Sequence, residues 1–593
     1  MSSVTLTIDK QSVTVPAGTT ILDAAKVAGI SIPTLCYFDG VSNPGSCRVC
    51  LVEVEGARTL QPSCVTTVSE GMAVRVNTKD ARDARRLSVE LMLANHPWDC
   101  NACVRSGECE LQTLAQDMGI TDVRFPYSKE ATPIDTSTAA LVRDMNKCVL
   151  CRRCVAVCQD TQGVGSLAPR ARGFDTVIGT GSGEQLSDAV CVQCGQCAAV
   201  CPVGAIYEQD AIQPVWAALD DPTKHVVVQT APAIRAALGE CFGCEPGTVV
   251  TGKMVAALRR LGFDKVFDTN FTADLTIIEE GTELLVRLKN ALVDGDASIA
   301  LPMFTSCSPG WINYMEAFYP QLIPNLSSCK SPQQMFGALA KTYYAEMAGV
   351  DAKDIVVVSI MPCTAKKYEC ARDEMNDSGF KDVDYVLTTR ELGQLIKEAG
   401  IDFLKLEDEE QDTPMGMSTG AADIFANTGG VMEAALRTVY ELVTGRELPT
   451  DGLHVGPVQG LEGVKEAELT FTDCVADWSF LEGVTAKVAV AHGLTNAKKV
   501  CDLVASGEAS YHFIEVMCCP GGCIGGGGQP RATTNDVRKA RISAIYQEDE
   551  GRPMRKSHTN PAITAIYENF LGEPGGHKSH HLLHTHYVDK KQD

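Results

Sequence analysis

Basic residues are in deficit in this 593-residue chain, where 52 Lys and Arg stand against 75 Asp and Glu for a formal charge of -23. Such a balance repels polyanions, so nucleic acid and an anionic membrane surface are poor partners. Long apolar runs are missing too. No segment approaches the roughly eighteen consecutive apolar residues that a membrane span needs, and the opening MSSVTLTIDK lacks a basic stretch followed by an apolar one. Neither a membrane span nor export is expected, and the expected location is cytoplasmic. A dinucleotide-binding glycine fingerprint is also absent. The nearest approach to a phosphate loop, GTVVTGKM at residues 247–254, puts Met254 where a magnesium-binding hydroxyl belongs, and it reads as a helix entry. Length alone requires several domains.

Cysteine is abundant, with 26 copies. In a reducing compartment these point to metal ligation rather than disulfides. They fall into blocks, each with its own spacing. Cys36, Cys47 and Cys50 form C-x10-C-x2-C, with Cys64 following. Their segment opens VTLTIDKQSVTVPAG, a hairpin signal around Asp9-Lys10, and continues into a short helical stretch, TTILDAAKVAG. A small ferredoxin-like sheet holding a 2Fe-2S cluster is expected, zinc being the plainer alternative because one C-x2-C pair does not separate the metals. His96, Cys100, Cys103 and Cys109 follow the helical run RRLSVELMLAN as H-x3-C-x2-C-x5-C, a set suited to zinc or a 4Fe-4S cluster; a lone histidine is commonly a packing residue, but the three cysteines beside this one favour ligation.

The most specific signal of this half is doubled. Cys148, Cys151, Cys154 and Cys158, then Cys191, Cys194, Cys197 and Cys201 followed by Pro202, are two C-x2-C-x2-C-x3-C runs. In this two-cluster ferredoxin pattern the last cysteine of each run serves the other cluster. Four iron-sulfur clusters along one polypeptide move single electrons.

From about residue 210 the texture becomes α/β. Strands are expected within HVVVQTAP, SIALPMFTSC, DIVVVSIMPC, KVAVAHGL and YHFIEVMCC, and helices within KMVAALRRLG, VMEAALRTVYELVTG and SPQQMFGALAKTYYAEMAG, the last with Ser331 as N-cap and Pro332 at its first position. Three strand-like runs end in cysteine-bearing turns: TSCSPGW (305–311), MPCTAKK (361–367) and MCCPGGC (517–523). Because ligands bind beyond the carboxyl ends of strands in open α/β sheets, these turns are expected to share one metal site.

The three turns resemble the signatures of the iron-iron (FeFe) hydrogenases, T-S-C-C-P-x-W, M-P-C-x-x-K and E-x-M-x-C-x-x-G-C-x-x-G-G-G-Q-P, and nearly all of residues 1 to 590 is similar to large members of that family, particularly the catalytic subunits of NADP-reducing multi-subunit members. The resemblance implies an α/β and α+β multidomain chain. Its parts would be a ferredoxin-like β-grasp domain with a 2Fe-2S cluster (1–80), a 4Fe-4S domain with one histidine and three cysteines as ligands (81–125), a two-cluster bacterial ferredoxin domain (138–210) and a large two-lobed α/β catalytic domain (211–593). It implies an H-cluster in the last, a 4Fe-4S cubane joined to a two-iron unit bearing CO, cyanide and dithiolate. By position, Cys363, Cys519 and Cys523 match cubane ligands, Cys523 being the bridge. Lys366 matches a cyanide-binding lysine, Met361 and Met517 soft packing residues, and Ala231 and Pro232 backbone near a cyanide. The glycines of CCPGGCIGGGGQP would let backbone approach the cluster.

Splitting H2 leaves a proton that must exit a dry pocket. The family relay maps onto Cys307, Glu280, Ser327, Glu283 and a surface Arg287; Glu280, Glu283 and Arg287 are spaced for one helix face, which without the resemblance reads as a solvated ion pair. Where the family has two adjacent cysteines this chain has Cys307 and Ser308, and Cys518 occupies a position usually small. Ser308, Cys307 or Cys518 must therefore complete the cubane.

The implied activity is reversible H2 oxidation, with electrons passing to flavin- or NAD(P)-binding iron-sulfur subunits of a hetero-oligomer, or to ferredoxin. A low-turnover H2 or redox sensor is the first alternative, supported by Ser308. The second is an electron-transfer subunit of a larger dehydrogenase, supported by residues 1–210. Cys241-x-x-Cys244 and HKSHHLLHTHY (577–587) read as structural rather than as a redox pair and a metal tract, and Cys329, Cys370, Cys474 and Cys501 as buried small hydrophobes.

Overall fold

In the computed structural model, which describes residues 2–127, 129–181 and 185–590, the chain opens with the expected hairpin. Strands Ser3–Ile8 and Gln11–Pro16 pair antiparallel, and the turn residues Asp9 and Lys10 take φ of 45° and 72°, the hand that matches strand twist. Alternation buries Leu6, Ile8, Val13 and Val15 against Ile21 and Leu22 of the helix Ile21–Val27, whose start is capped by the Thr20 hydroxyl accepting the Asp23 N–H. Ala73–Arg75, Leu51–Val54 and Gln61–Pro62 complete a five-stranded sheet.

Two four-stranded sheets organise the region beyond residue 210. One is wholly parallel, in the order Lys265–Asp268, His225–Thr230, Ile355–Met361, Tyr385–Thr388. Val226, Val227, Val228, Val357 and Val358 are buried, the near-continuous apolar pattern of a sheet covered on both faces. The other runs Met303–Phe304, Phe513–Met517, Thr485–His492, Val464–Thr470, the last pair antiparallel.

Two expectations change in detail. The strand expected across 298–307 shrinks to Met303–Phe304, preceded by Pro302, which has no N–H to extend the ladder. The helix starting at Pro332 keeps its proline at the first position, but the Ser331 hydroxyl does not cap it; it donates to Glu369 Oε2 at 2.9 Å, and a π-turn at Ala340–Tyr344 interrupts the run. Among the described residues, no helix is long and apolar enough to cross a membrane.

Buried charge locks the cores together. Glu515, in an otherwise apolar strand, accepts the N–H groups of Gly429 and Met432 at 2.6 and 2.7 Å, at the start of the helix Gly430–Thr444, where the helix dipole favours an anion. Arg235, fully buried, donates to Asp268 at 3.0 Å and to Asp423 at 2.5 Å, directly after the Ala231-Pro232 turn. Replacing Arg235 with Met would leave buried Asp268 without a cation and Asp423 with Arg552 alone, and a loss of about 3–5 kcal/mol in unfolding free energy is expected by denaturant titration. An unchanged midpoint would show that the two acids find other partners.

Candidate metal centre

The amino-terminal thiols gather as their spacing requires. Cys50 and Cys64 Sγ lie 3.4 Å apart, and the Cys36 thiol hydrogen-bonds with those of Cys47 and Cys64. Contact with Cys47 draws the Cys36 pKa far below that of an ordinary thiol, while contact with Cys36 drives Cys64 far above it. Such competition for protons among four clustered thiols is what a shared metal relieves. In the next block His96 is 7 % exposed, burial pulls its pKa to about 4, and its Nδ1 has no hydrogen-bond partner, the condition of an imidazole awaiting a ligand. Cys103 and Cys109 are half-buried, whereas Cys100 sits exposed in the turn Cys100–Ala102.

The doubled run forms two small cavities. One is walled by Cys148, Cys151, Cys154 and Cys201, the other by Cys158, Cys191, Cys194 and Cys197. The last cysteine of each run thus faces the other run's cavity. Burial first, then neighbouring thiolate charge, drives the Cys154 and Cys197 thiols well up.

The carboxyl-terminal half brings four strand ends, two from each four-stranded sheet, to a single cavity. His225–Thr230 runs out into Ala231 and Pro232, Met303–Phe304 into Cys307 and Ser308, Ile355–Met361 into Cys363, and Phe513–Met517 into Cys518, Cys519 and, round a tight turn, Cys523; all line it, together with Lys366, Met361 and Met517. Cys363 and Cys523 are raised by burial first and then by the charge of Cys519, Cys523 to about 12. A largely apolar pocket lined by several buried thiols fits a sulfur-bound metal group. Lys366 Nζ is already paired, 2.9 Å from Glu369 Oε2 and 3.2 Å from the Cys307 carbonyl oxygen, and Ser331 and Gln333 also donate to Glu369. Its positive charge is therefore partly spent before any anion arrives.

Glu280, Glu283 and Arg287 share the helix Thr269–Leu292. Glu283 Oε2 accepts from Ser327 Oγ at 2.8 Å, and Glu283 Oε1 accepts from Arg287 at 2.6 Å. Glu280 hydrogen-bonds with Ser327 and the Ser306 amide; burial and then the charge of Glu283 push its pKa up to about 8, and its Oε1 has no partner. Burial and then the charge of Glu280 hold the Cys307 thiol well above the usual range. Glu280, Ser327, Glu283 and Arg287 are linked in sequence by hydrogen bonds. Arg287, expected at the surface, is only 17 % exposed and also donates to the Pro324 and Leu326 carbonyls.

Several side chains carry more than their sequence context announces. Cys329 is not an ordinary buried hydrophobe, since its Sγ lies 3.8 Å from Glu283 Oε2 and 3.9 Å from His584 Nε2. His584, in the histidine-rich tail, is buried, accepts or donates at Ser328 Oγ (2.8 Å) and meets Glu279 Oε2 at 3.1 Å, a packing and hydrogen-bonding role. Cys474 is half-buried beside Glu482. Cys241 packs where a Gly393 Cβ would lie within 2.9 Å, a structural thiol. Gln333, Thr269, Ala273 and Phe425 line the cavity with no local sequence signal.

The glycines were expected to clear space for an inorganic ligand. Gly522 and Gly526 do line the cavity, but the tightest approaches are to other backbone: a Cβ on Gly526 would meet the Pro362 oxygen at 2.1 Å and one on Gly527 the Cys194 oxygen at 2.2 Å. Gly527 thus seats the glycine-rich turn directly on a cysteine of the doubled C-x2-C-x2-C-x3-C region, where Gln196 Nε2 also donates to the Gly525 oxygen at 2.9 Å. Gly527→Ala should separate the two parts: expect at least a tenfold slower reduction of the catalytic centre in stopped-flow, with iron content retained. Unaltered kinetics would mean the backbone yields without moving the centres.

Fold and site together define a multidomain iron-sulfur oxidoreductase. Residues 224–527 match the family model described as iron only hydrogenase large subunit, C-terminal domain, and residues 535–590 the iron hydrogenase small subunit. Upstream, residues 1–79 match a 2Fe-2S iron-sulfur cluster binding domain, 85–124 the NADH-ubiquinone oxidoreductase-G iron-sulfur binding region and 147–205 a 4Fe-4S dicluster domain. The chain is 51 % identical over its whole length, and the whole of the relative's, to the NADP-reducing hydrogenase subunit HndD of Solidesulfovibrio fructosivorans. It is 40 % identical to iron hydrogenase 1 of Clostridium pasteurianum over 96 % of this chain and 97 % of that one. The solved [FeFe]-hydrogenase HydA1 of Chlamydomonas reinhardtii superposes with a TM-score of 0.58 and 48 % identity, over 64 % of this chain and 98 % of that chain. The chain belongs to the iron-iron hydrogenase family and is an enzyme of the catalytic-subunit type.

Proposed function

We propose that the chain oxidises H2 and reduces protons reversibly at an H-cluster held by Cys363, Cys519 and Cys523, the bound group supplying the heterolytic splitting and formation of H2. The observation that carries this reading is the convergence of those three cysteines, from strand ends in both sheets, on one pocket. Ala231, Pro232, Met361 and Met517 would wall the two-iron unit, and Lys366 would donate to it while tethered to Glu369. Cys307, Glu280, Ser327, Glu283 and Arg287 move protons between the pocket and solvent. A neutral Cys307 thiol donates towards Glu280, whose unpartnered Oε1 can accept, and the Ser327 hydroxyl passes hydrogen-bonding on to Glu283.

Electrons travel through four accessory centres. A 2Fe-2S cluster would be held by Cys36, Cys47, Cys50 and Cys64 in a β-grasp domain (1–80), and a 4Fe-4S cluster by His96, Cys100, Cys103 and Cys109 (81–125). Two further 4Fe-4S clusters would use the crossed cysteine sets (138–210), feeding the two-lobed catalytic domain (211–593). The crossed cavities, the orphaned His96 nitrogen and the Gly527–Cys194 backbone contact support that order. Lacking a dinucleotide fingerprint, the chain would pass electrons to flavin- or NAD(P)-binding iron-sulfur subunits of a cytoplasmic complex, or to ferredoxin. The name of the Solidesulfovibrio relative, an NADP-reducing hydrogenase subunit, supports the NADP link.

Protein matured with its assembly enzymes should show CO and cyanide infrared bands and evolve H2 from a reduced viologen. Bands without turnover would replace the enzyme with a sensor. No bands at all would dismiss the H-cluster.

A further inference from the structure

A cubane takes four protein donors, and Cys363, Cys519 and Cys523 leave one position open. Three side chains on the cavity wall can fill it: Cys307, Ser308 and Cys518. Cys307 has another task. It is the first member of the proton relay proposed above, its thiol feels the Glu280 charge ahead of that of Cys523, and its carbonyl oxygen is held by Lys366 Nζ at 3.2 Å. Ser308 offers only oxygen, a hard donor that must give up an alcohol proton to bind iron, and that oxygen already accepts the Cys518 N–H at 3.2 Å.

Cys518 is different on every count. Only 3 % exposed, it places a soft sulfur in hydrogen-bond contact with the Cys519 thiol on one side and the Cys194 thiol on the other. Gly310 leaves the room: a Cβ there would come within 2.7 Å of Cys518 Sγ. Gln162 Nε2 donates to the same sulfur at 3.7 Å, a long, weak bond that leaves the thiolate free to bind iron.

We infer that Cys518 supplies the fourth thiolate of the cubane, and that Ser308, left without a metal to bind, is a positioning residue whose hydroxyl holds the Cys518 amide. This rests on the H-cluster reading above. Ligation forms one Fe–S bond, the thiol proton leaves to solvent, and no electron changes hands. Its consequence reaches the wire as well: a cubane ligand would then touch Cys194, a wall of the neighbouring accessory cavity, sulfur against sulfur. One residue would complete the active centre and shorten the electron's last step.

The test uses the full chain produced without the maturation enzymes, so that cubane assembly is read independently of H2 chemistry. Iron per chain and the electron paramagnetic resonance of the reduced protein are compared for wild type, C518A, S308A, C307A and the double variant C518A/S308C. C518A should lose the cubane signal and about four irons per chain. S308A and C307A should keep both. A thiolate returned at position 308 should restore the cubane in C518A/S308C, which separates lost ligation from lost folding, and a C194A control marks the adjacent accessory signal. Retention of the cubane in C518A, with its loss in S308A or in C307A, would overturn the assignment in favour of that residue. A wild-type protein with accessory clusters but no cubane would overturn the H-cluster reading itself.

Discussion

Replacing Cys523 with alanine should abolish H2 turnover in matured protein, to at least 10⁴ below wild type, while the accessory clusters keep their iron. Cys523 lies at the cavity wall, at the start of the short turn Cys523–Gly525, and its thiol is pushed to about 12 by burial and by the Cys519 charge. The turn has no slack to offer a substitute. Gly522, at φ 91°, would meet the Thr428 amide at 2.6 Å if it bore a Cβ, and Gly525 the Pro520 oxygen at 2.1 Å, so the backbone is clamped on both sides of Cys523. The accessory cysteines share no turn with it, and their spectra should persist. CO and cyanide infrared bands, read with an H2-evolution assay, decide the matter; activity within tenfold of wild type would remove Cys523 from the centre.

Glu280→Gln should lower turnover by about 10² to 10⁴-fold with the clusters intact, the range that a positioned acid or base contributes. Glutamine keeps the volume and the hydrogen bond to Ser327 but has no proton to lose. Burial, reinforced by Glu283, raises the Glu280 pKa from 4.5 to about 8, so the carboxyl is neutral through neutral pH. Neutrality favours the folded chain. That contribution is complete below 4.5 and is lost as pH rises through about 8, where the buried group ionises. The Gln variant should therefore be more resistant to unfolding than wild type on the alkaline side, and its turnover should lose the pH limb near 8. A Gln variant with the wild-type pH profile would take Glu280 out of the relay. Glu280→Asp, which keeps a carboxyl but shortens its reach, should recover part of the rate.

Legibility followed distance along the chain. The hairpin at Asp9-Lys10, the start of the helix Ile21–Val27 and the strands Ile355–Met361 and Phe513–Met517 were readable because turn chemistry, caps and apolar runs act within a few residues. The strand over 298–307 was overdrawn because its apolar letters belong partly to an extended segment packed without a ladder, beyond a proline. The histidine-rich tail read as a packing segment, but its partners were not legible: His584 is buried between Glu279 and Ser328, more than 250 residues away.

The amino-acid order by itself determined the local sets: C-x2-C-x2-C-x3-C repeats hold sulfurs at metal-binding separations because only a turn or two of backbone lies between them. It also named three cysteine-bearing turns and the exchange of Ser308 and Cys518. Only the folded chain decided that strand ends from two sheets close on one pocket, that Ser308 is committed to the Cys518 amide, and that the glycine run presses against Pro362 and Cys194 backbone rather than standing open. Contacts between residues tens to hundreds of positions apart carry no spacing rule. They exist because two covered sheets bury their apolar faces and so bring their carboxyl ends together, a result of total packing that no short window of residues contains.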